Sequence, residues 1–303
     1  MNTGCTLAAI DIGGTKTAVG LVRDGVVVAR TTAPTPARDG GRAILGHAAG
    51  LLAALCTDTG LRPVGLGAGV PGIVDATGRV RSATDSLHGW DGTDVAATLT
   101  DLTGLPCRIA NDVHAFVLGE AAYGAGAGRT DIVGITVGTG IGGGVVSGGH
   151  LVTGVSGAAG HVGHLPVPEA AGLACPCGGT GHVEAVAAGP AVTAAYRRRT
   201  THQVTTMQQV VAAADNGDVD ALAVLFDAGQ ALGTAIGALI NTLDPQIVVV
   251  GGGAAVPAVL RAAAHAAAAA AMPVLADVPV VAATAADASL LGASVLAEQA
   301  HRS

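Results

Sequence analysis

The side chains best suited to chemistry lie close together, between His161 and Glu184. Three histidines, two cysteines and the glutamate at the end of the segment are the candidates: His161, His164, Cys175, Cys177, His182 and Glu184. Two thiolates and two imidazoles are donors that tetrahedral zinc prefers. The cysteines are one residue apart, where a disulfide would be strained, and the chain has an odd count of five. The segment therefore predicts a metal site.

Three glycine turns, each after an apolar strand, indicate a site for phosphate groups. The first follows Asp11, whose carboxylate can hold Mg²⁺ through water while backbone N–H groups cradle phosphate. If this were the only copy, an ordinary hairpin with glycine at its positive-φ positions would be the better explanation, but three copies favour nucleotide binding. None matches a P-loop or a Rossmann glycine motif in a βαβ unit. The turns comprise Gly13, Gly14, Thr15 and Lys16; Gly138, Thr139, Gly140 and Gly142 to Gly144; and Gly251, Gly252 and Gly253.

Asn111 and Asp112 lie at the carboxyl end of a predicted strand and at the start of a predicted helix. Side chains at this position project into clefts, so Asp112 could accept the proton of an attacking hydroxyl. Asn and Asp are also favoured helix N-caps, and the local sequence alone favours that role. The two roles are compatible. His114, close by, is ambiguous between a site residue and a core residue.

The composition limits the class of protein. A chain of 303 residues suggests about two domains, and with 2% aromatic residues the cores must be built from small aliphatic side chains. The net charge of −7 disfavours nucleic acids and anionic membranes as partners. Residues 1–10 show no signal peptide, and no uninterrupted apolar run is long enough to span a bilayer. We expect a soluble, cytoplasmic protein.

The elements that position these residues alternate between strands and helices, which predicts an α/β fold of two similar lobes with a ligand cleft between them. A strand, glycine turn, strand order occurs near residue 7 and again near residue 132, a weak internal duplication. We predict an N-terminal lobe of residues 1–112, joined by the C-terminal helix at about 288–303. A larger lobe of residues 113–287 carries the zinc loop 161–184.

These motifs, in order and spacing from about residue 6 to 299, resemble the ROK family of sugar kinases. The resemblance implies the two-lobed actin-like ATPase (ribonuclease H-like) fold, ATP with Mg²⁺, transfer of the γ-phosphate to a sugar hydroxyl, and a homodimer. The segments that carry it are Asp11 to Lys16, Gly69 to Gly72, Asn111-Asp112, Gly138 to Gly144, Gly163-His164, Cys175 to Gly178 and Asp244 to Gly253.

Roles carried over from the family are assigned by motif position. The resemblance implies that Asp112 is the catalytic base. It also implies that Asp11 lies near the metal and the phosphates. The turns at Gly138 and Gly251 are expected around ATP. The sugar ligands implied are Asn111, Asp112, His161, His164, Glu184 and Gly72.

The sequence departs from the family pattern twice. The family usually has Glu-x-Gly-His, where this chain has His161 in place of the glutamate, which makes the substrate uncertain. The family's zinc motif usually ends in cysteine, where this chain has His182. Since histidine is a good zinc donor, His164, Cys175, Cys177 and His182 still form a complete set for structural Zn²⁺. The alternative is that His182 has drifted and zinc is lost.

Three classes of function remain open. A kinase is favoured by Asp11, Asp112 and the glycine turns. A transcriptional repressor of the same family would need a DNA-binding domain, and only six residues precede Leu7. A silent sugar sensor is disfavoured by Asp112. For a kinase, the expected acceptor is the primary (6-type) hydroxyl of a hexose or N-acetylhexosamine, with N-acetylmannosamine or glucose first and a valiolone-type cyclitol as the alternative.

Overall fold

The computed structural model describes residues 4–83 and 86–302. The chain forms two compact units, each of which contains a five-stranded sheet. The first unit comprises Met1–Gly128, Leu151–Ala159 and Thr284–Ser303, and the second comprises Arg129–His150 and Gly160–Ala283. Each has its own apolar core, and among the described residues these cores are built mostly from Ala, Val, Leu and Ile.

The sheet of the first unit brings the ends of its inner strands together. Strand β1 pairs with β2 in antiparallel fashion and with β4 in parallel fashion, and β4 pairs in parallel with β7. The order is β3-β2-β1-β4-β7, and a separate two-stranded sheet joins β5 and β6. The strands are β1 Leu7–Ile12, β2 Lys16–Arg23, β3 Val26–Pro34, β4 Leu66–Val70, β5 Ile73–Val74, β6 Val80–Ser82 and β7 Cys107–Asn111.

Four helices belong to the first unit. They are α1 Gly41–Thr59, α2 Val95–Thr103, α3 Asp112–Tyr123 and α9 Ala288–Arg302. Helix α3 starts directly after β7, with Asn111 as its N-cap: the amide oxygen accepts hydrogen bonds from the backbone N–H groups of Val113 and His114. The predicted cap role of Asn111 is confirmed. Helix α9 packs against α3 and β4, which ties the end of the chain to its beginning.

The sheet of the second unit has the order β10-β9-β8-β11-β12. As in the first unit, an antiparallel hairpin leads into two parallel strands. The predicted internal duplication is therefore present in the strand order. The strands are β8 Ile132–Val137, β9 Ile141–Ser147, β10 His150–Val152, β11 Ile247–Gly251 and β12 Val280–Ala282, and the helices are α4 Glu184–Ala187, α5 Gly189–Arg199, α6 Met207–Asp215, α7 Val219–Leu243 and α8 Pro257–Ala270.

Helix α7 is the long apolar helix of the second unit. By length and composition it could cross a membrane, but 61% of its most apolar window is buried within the protein. A core helix passes the same test, so this is weak evidence for a membrane span. Asp218 caps its N-terminus by accepting hydrogen bonds from the backbone N–H groups of Asp220 and Ala221.

The observed division of the chain differs from the predicted boundary at residue 112. The first unit continues to Gly128, because α3 packs against β4 and α9 of the same unit. It also includes Leu151–Ala159, and its last segment starts at Thr284 instead of residue 288.

Candidate active site and metal centre

Two predicted site carboxylates, Asp11 and Asp112, lie at the ends of β1 and β7, which flank β4 in the sheet of the first unit. Asp11 is paired across β1 and β4 with Gly69, which is paired in turn with Ala110 of β7. A side chain at Gly69 would meet Ala115 Cβ at 2.9 Å and Asp112 Cα at 3.3 Å, with Asp11 Oδ1 at 3.8 Å. The absence of a side chain at Gly69 therefore leaves the space in which the two carboxylates are near each other.

The environment of Asp11 changes its acidity. Its pKa is raised from 3.8 to about 6, first because burial penalises the charged form and second because of the negative charge of Asp112. Lys16 and a hydrogen bond with Ser289 act in the opposite direction. Perturbed carboxyl groups of this kind are typical of functional sites. Ser289 belongs to α9, and nothing in the local sequence indicated it.

The predicted turn at Gly13 to Lys16 is tied down by hydrogen bonds. Gly13 N–H donates to Lys16 O at 2.9 Å, and the Thr35 hydroxyl donates to Gly13 O at 2.8 Å. Thr35 N–H also donates to Thr15 O at 3.0 Å. The end of β3 thus holds the turn next to Asp11, while the side chains of Thr15 and Lys16 are exposed.

Asn111 connects the helix start to the predicted sugar-binding turn at Gly72. Its Nδ2 donates to Gly72 O at 3.0 Å, and the same turn is fixed from the other side by Trp90, whose indole N–H donates to Pro71 O at 2.9 Å. Trp90 is 1% exposed and packs in the apolar core of the first unit.

In the second unit, the glycine turns at Gly138 to Gly144 and Gly251 to Gly253 come together. Ala254 N–H donates to Val137 O at 2.9 Å, which joins the turn after β11 to the end of β8. Gly252 has a φ of 93°, which favours glycine. Gly138, Thr139 and Gly253 line a cavity of about 570 Å³. The remaining walls, which the sequence did not single out, come from α5 and α6 and include Thr193, Arg197, Met207 and Gln208.

Glu184 contacts the first of these turns. Its Oε2 accepts a hydrogen bond from Ile141 N–H at 2.7 Å, and a side chain at Gly140 would lie 2.8 Å from the same oxygen. Glu184 Oε1 lies 4.0 Å from Cys175 Sγ. The carboxylate therefore links the turn between β8 and β9 to the cysteine-histidine segment.

The four predicted zinc ligands form one cluster. One donor atom from each of His164, Cys175, Cys177 and His182 lies within 4.8 Å of all the others. Cys177 Sγ is 3.3 Å from His182 Nδ1, and Cys175 Sγ is 3.8 Å from His164 Nδ1. Tetrahedral zinc places nitrogen and sulfur donors about 3.3–3.8 Å apart, as follows from its bond lengths. The donor set and its spacing therefore fit zinc.

A tight turn produces this cluster. Cys175 N–H donates to Gly179 O at 2.8 Å and Gly178 N–H donates to Cys175 O at 3.0 Å, which brings both ends of the loop together. Gly178 and Gly181 have φ values of 88° and 80°. His161 lies beside the cluster, with its ring stacked on His164 at a centroid distance of 6.3 Å.

Comparisons with known proteins agree with this arrangement. The sequence profile of the ROK family matches residues 7–300. Over 258 residues the chain is 33% identical to a glucokinase of Halalkalibacterium halodurans, covering 79% of this chain and 78% of the relative. Over 246 residues it is 37% identical to an N-acetylmannosamine kinase of Shigella boydii, covering 80% and 81%.

A solved structure extends the likeness to the fold. The chain matches a ROK family glucokinase from Streptomyces griseus in complex with glucose and AMPPNP, with a TM-score of 0.83 and 27% identity, over 97% of this chain and 99% of the other. This chain has the actin-like ATPase fold and belongs to the ROK family. It is an ATP-dependent carbohydrate kinase, a phosphotransferase with an alcohol as acceptor.

Proposed function

We propose that the enzyme transfers the γ-phosphate of ATP to the primary (6-type) hydroxyl of a hexose or N-acetylhexosamine, with Asp112 as the general base. The observation that carries the proposal is the pair of carboxylates Asp11 and Asp112 at the ends of β1 and β7, the two strands that flank β4, where burial and then the charge of Asp112 raise the pKa of Asp11. Paired carboxyl groups with different environments can take different roles.

Asp112 would act on the sugar. It takes the proton of the attacking hydroxyl as that oxygen forms its bond to the γ-phosphorus and the bond to the ADP oxygen breaks. Asn111 would orient a second sugar hydroxyl. One N–H of its amide is used by Gly72 O, and a primary amide has two N–H donors, so one remains for the sugar.

ATP would be held by the glycine turns and by Asp11. In the second unit, the cavity of about 570 Å³ at Gly138, Thr139 and Gly253 supports nucleotide binding there. In the first unit, Asp11 would hold Mg²⁺ through water, next to the turn at Gly13, Gly14, Thr15 and Lys16. Bound Mg²⁺ supplies neutralisation of the phosphate charge in such reactions.

Zinc would have a structural role, because all four donors come from the protein. His164 Nδ1 points to Cys175 Sγ, which leaves the other ring nitrogen as the atom proposed for the sugar. Zinc would thus fix the orientation of His164, with His161 stacked on it.

The zinc proposal predicts about one zinc ion per purified chain, as a closed four-ligand site requires. Elemental analysis of the protein tests it. The double variant Cys175→Ser/Cys177→Ser should lose the metal, whereas Cys56→Ser, at a cysteine far from the cluster in sequence, should keep it. A metal-free wild-type protein would contradict the assignment.

The best substrate candidates are N-acetylmannosamine and glucose, the sugars named for two relatives. His161 would determine the choice, since the family usually has glutamate there. A valiolone-type cyclitol is the alternative. A coupled ADP-release assay with glucose, N-acetylmannosamine, N-acetylglucosamine, fructose and a cyclitol decides among them. If the protein releases no ADP with any of these compounds, a non-catalytic sugar sensor would be favoured.

Asp112→Asn tests the assignment of the base. The variant should bind sugar with nearly unchanged affinity and lose about 10²–10⁴-fold in kcat, the usual contribution of a general base. Calorimetric sugar titration and the coupled assay measure the two quantities. A variant that turns over at the wild-type rate would rule out Asp112 as the base.

The homodimer and the cytoplasmic location stay predictions.

A further inference from the structure

His114 lies in the first turn of α3, two residues after Asp112, and the proposed reaction does not use it. Its side chain is 2% exposed, and its Nε2 lies 2.8 Å from the carbonyl oxygen of Ala159. A carbonyl oxygen only accepts, so Nε2 carries the hydrogen and donates it. The backbone N–H of His114 is itself held by Asn111 Oδ1 at 3.3 Å. The imidazole thus has a fixed direction.

The hydrogen-bond partner of His114, Ala159, belongs to a loop whose side chains are mostly small and whose first residues are exposed. Residues 153–160 read Thr-Gly-Val-Ser-Gly-Ala-Ala-Gly, and Val155, the one large apolar side chain among them, is fully exposed. Ala159 N–H donates to Thr153 O at 3.1 Å, which closes the loop on itself. Burial of loop side chains therefore does not determine where this loop lies.

Two contacts within the first unit help to seat the loop. Besides the hydrogen bond from His114, Gly157 packs with its backbone against Val74 O, at a φ of 81° where a side chain would collide with that carbonyl. The loop continues directly into His161 and His164. Seating residue 159 therefore fixes the chain two residues before the proposed sugar-selecting histidine.

We propose that His114 is a positioning residue, which seats the loop 153–160 through the hydrogen bond from Nε2 to Ala159 O and thereby sets the affinity for the sugar. The proposal rests on the proposed role of His161 and His164 in sugar binding. His114 does not contact the reacting atoms; it acts through the loop.

Substitutions at His114 separate this role from a general effect on stability. Glutamine places an amide N–H near the position of histidine Nε2, whereas the side chain of asparagine is too short to reach Ala159 O. We expect His114→Ala and His114→Asn to raise the KM for the sugar about tenfold, because the part-buried carbonyl of Ala159 loses its donor and the loop loses this attachment. His114→Gln should stay within about threefold of wild type, and the KM for ATP should change by less than about twofold in all three.

The measurements use glucose and N-acetylmannosamine as probes with the full-length protein. His265→Ala, at an exposed histidine of α8, is the matched control and should leave both KM values unchanged. Gly157→Ala disturbs the same loop from its other contact and should reproduce the rise in sugar KM. Equal changes in the KM for sugar and for ATP, or no rescue by glutamine, would overturn the proposal.

Hydrogen–deuterium exchange tests the loop without any substrate. Peptides covering residues 151–164 should exchange faster in His114→Ala than in wild type, and at the wild-type rate in His114→Gln. Unchanged exchange in His114→Ala would overturn the inference even if the kinase activity is as proposed. Failure of the wild-type enzyme to phosphorylate either sugar would instead count against the proposed substrates, and the exchange experiment would still decide the role of His114.

Discussion

At the scale of single residues, the carboxyl group of Asp11 combines a proposed role at the phosphates with an environment that disfavours its charged form. Burial and the charge of Asp112 raise its pKa to about 6. At pH 8 the carboxyl group is therefore ionised in the folded protein, although both burial and the charge of Asp112 disfavour the ionised form. In the unfolded chain, the same group ionises near its ordinary value of 3.8. The folded state therefore binds more protons than the unfolded state between these two pH values, and stability from this group falls as the pH rises through that window.

Asp11→Asn should accordingly stabilise the protein above pH 6 while it abolishes or strongly reduces activity. A shift of this size in a group that is partly solvent-accessible corresponds to a gain on the order of 2 kcal/mol at pH 8. The gain should shrink towards zero near pH 4, where Asp11 is mostly protonated. Urea unfolding in magnesium-free buffer, followed by the fluorescence of Trp90, measures the difference at each pH.

Asp101→Asn is the control for this experiment. Asp101 is an exposed residue of α2, and its substitution should change the free energy of unfolding by less than about 0.5 kcal/mol at either pH. An Asp11→Asn variant that is less stable than wild type at pH 8 would contradict the cost assigned to the buried carboxylate.

The residue types and local spacing were enough to predict the cluster of His164, Cys175, Cys177 and His182 and to place Asp11 and Asp112 at strand ends. Gly69 was singled out only as part of a family motif, and Ser289 was not predicted. Their roles depend on pairing in the sheet and on the return of the C-terminal helix, neither of which leaves a local pattern. The hydrogen bond from His114 Nε2 to Ala159 O could not be predicted either, because its two residues lie far apart in the sequence.

At the scale of elements, helices α3 and α9 approach each other closely through glycines. A side chain at Gly292 of α9 would collide with Ala115 O, and one at Gly119 of α3 would collide with Ala288 O. Backbone-to-backbone contact of this kind leaves no flexible side chain that can move away. It therefore fixes the position of α3, which carries Asp112 as its first residue.

Gly292→Ala should therefore destabilise the protein, although alanine is the better helix former. Overpacking against backbone costs about 1–3 kcal/mol or more, which exceeds the gain of about 1 kcal/mol in helix propensity. Gly46→Ala is the matched control, because Gly46 is an exposed residue inside α1 with open space around its Cβ position. That variant should be more stable than wild type. Thermal unfolding measures the Tm of both variants. If the two Tm values shift in the same direction from wild type, the packing argument is wrong.

Most elements followed from periodicity and turn residues, and the exceptions have physical reasons. The turn between β2 and β3 has the Asp-Gly sequence that is typical of hairpins, and both Asp24 and Gly25 have positive φ values. Helix α2 begins at Val95, because Asp94 caps it by accepting a hydrogen bond from Ala97 N–H. The short strands β5, β6 and β10 have two or three residues each, too few to show a period.

At the scale of the whole molecule, the chain passes between the two units at four points, near residues 128, 150, 159 and 283. The repeated glycine turns were enough to predict two similar sheets. They could not show that Leu151–Ala159 belongs to the first unit, because this assignment follows from contacts such as that between His114 and Ala159. Boundaries set by distant contacts leave no composition shift in the sequence.

Glu120 holds two of the segments that adjoin these crossings. The residue is fully buried in α3, and its carboxylate accepts hydrogen bonds from the backbone N–H groups of Ala125, Thr284 and Ala285 at 2.8–3.1 Å. Ala125 precedes the crossing near residue 128, and Thr284 follows the crossing near residue 283. One carboxylate thus joins segments that lie far apart in sequence.

Glu120→Ala should remove the acceptor of these part-buried backbone N–H groups and destabilise the protein by about 1–3 kcal/mol in total, because solvent compensates part of the loss. Glu120→Gln should lose less, because one oxygen remains as an acceptor. Trp90 is the single tryptophan and lies in the first unit, so its fluorescence reports the unfolding of that unit. Glu169→Gln, at an exposed glutamate, should stay within about 0.5 kcal/mol of wild type. If Glu120→Ala unfolds at the same urea concentration as Glu169→Gln, the carboxylate does not hold these segments in place.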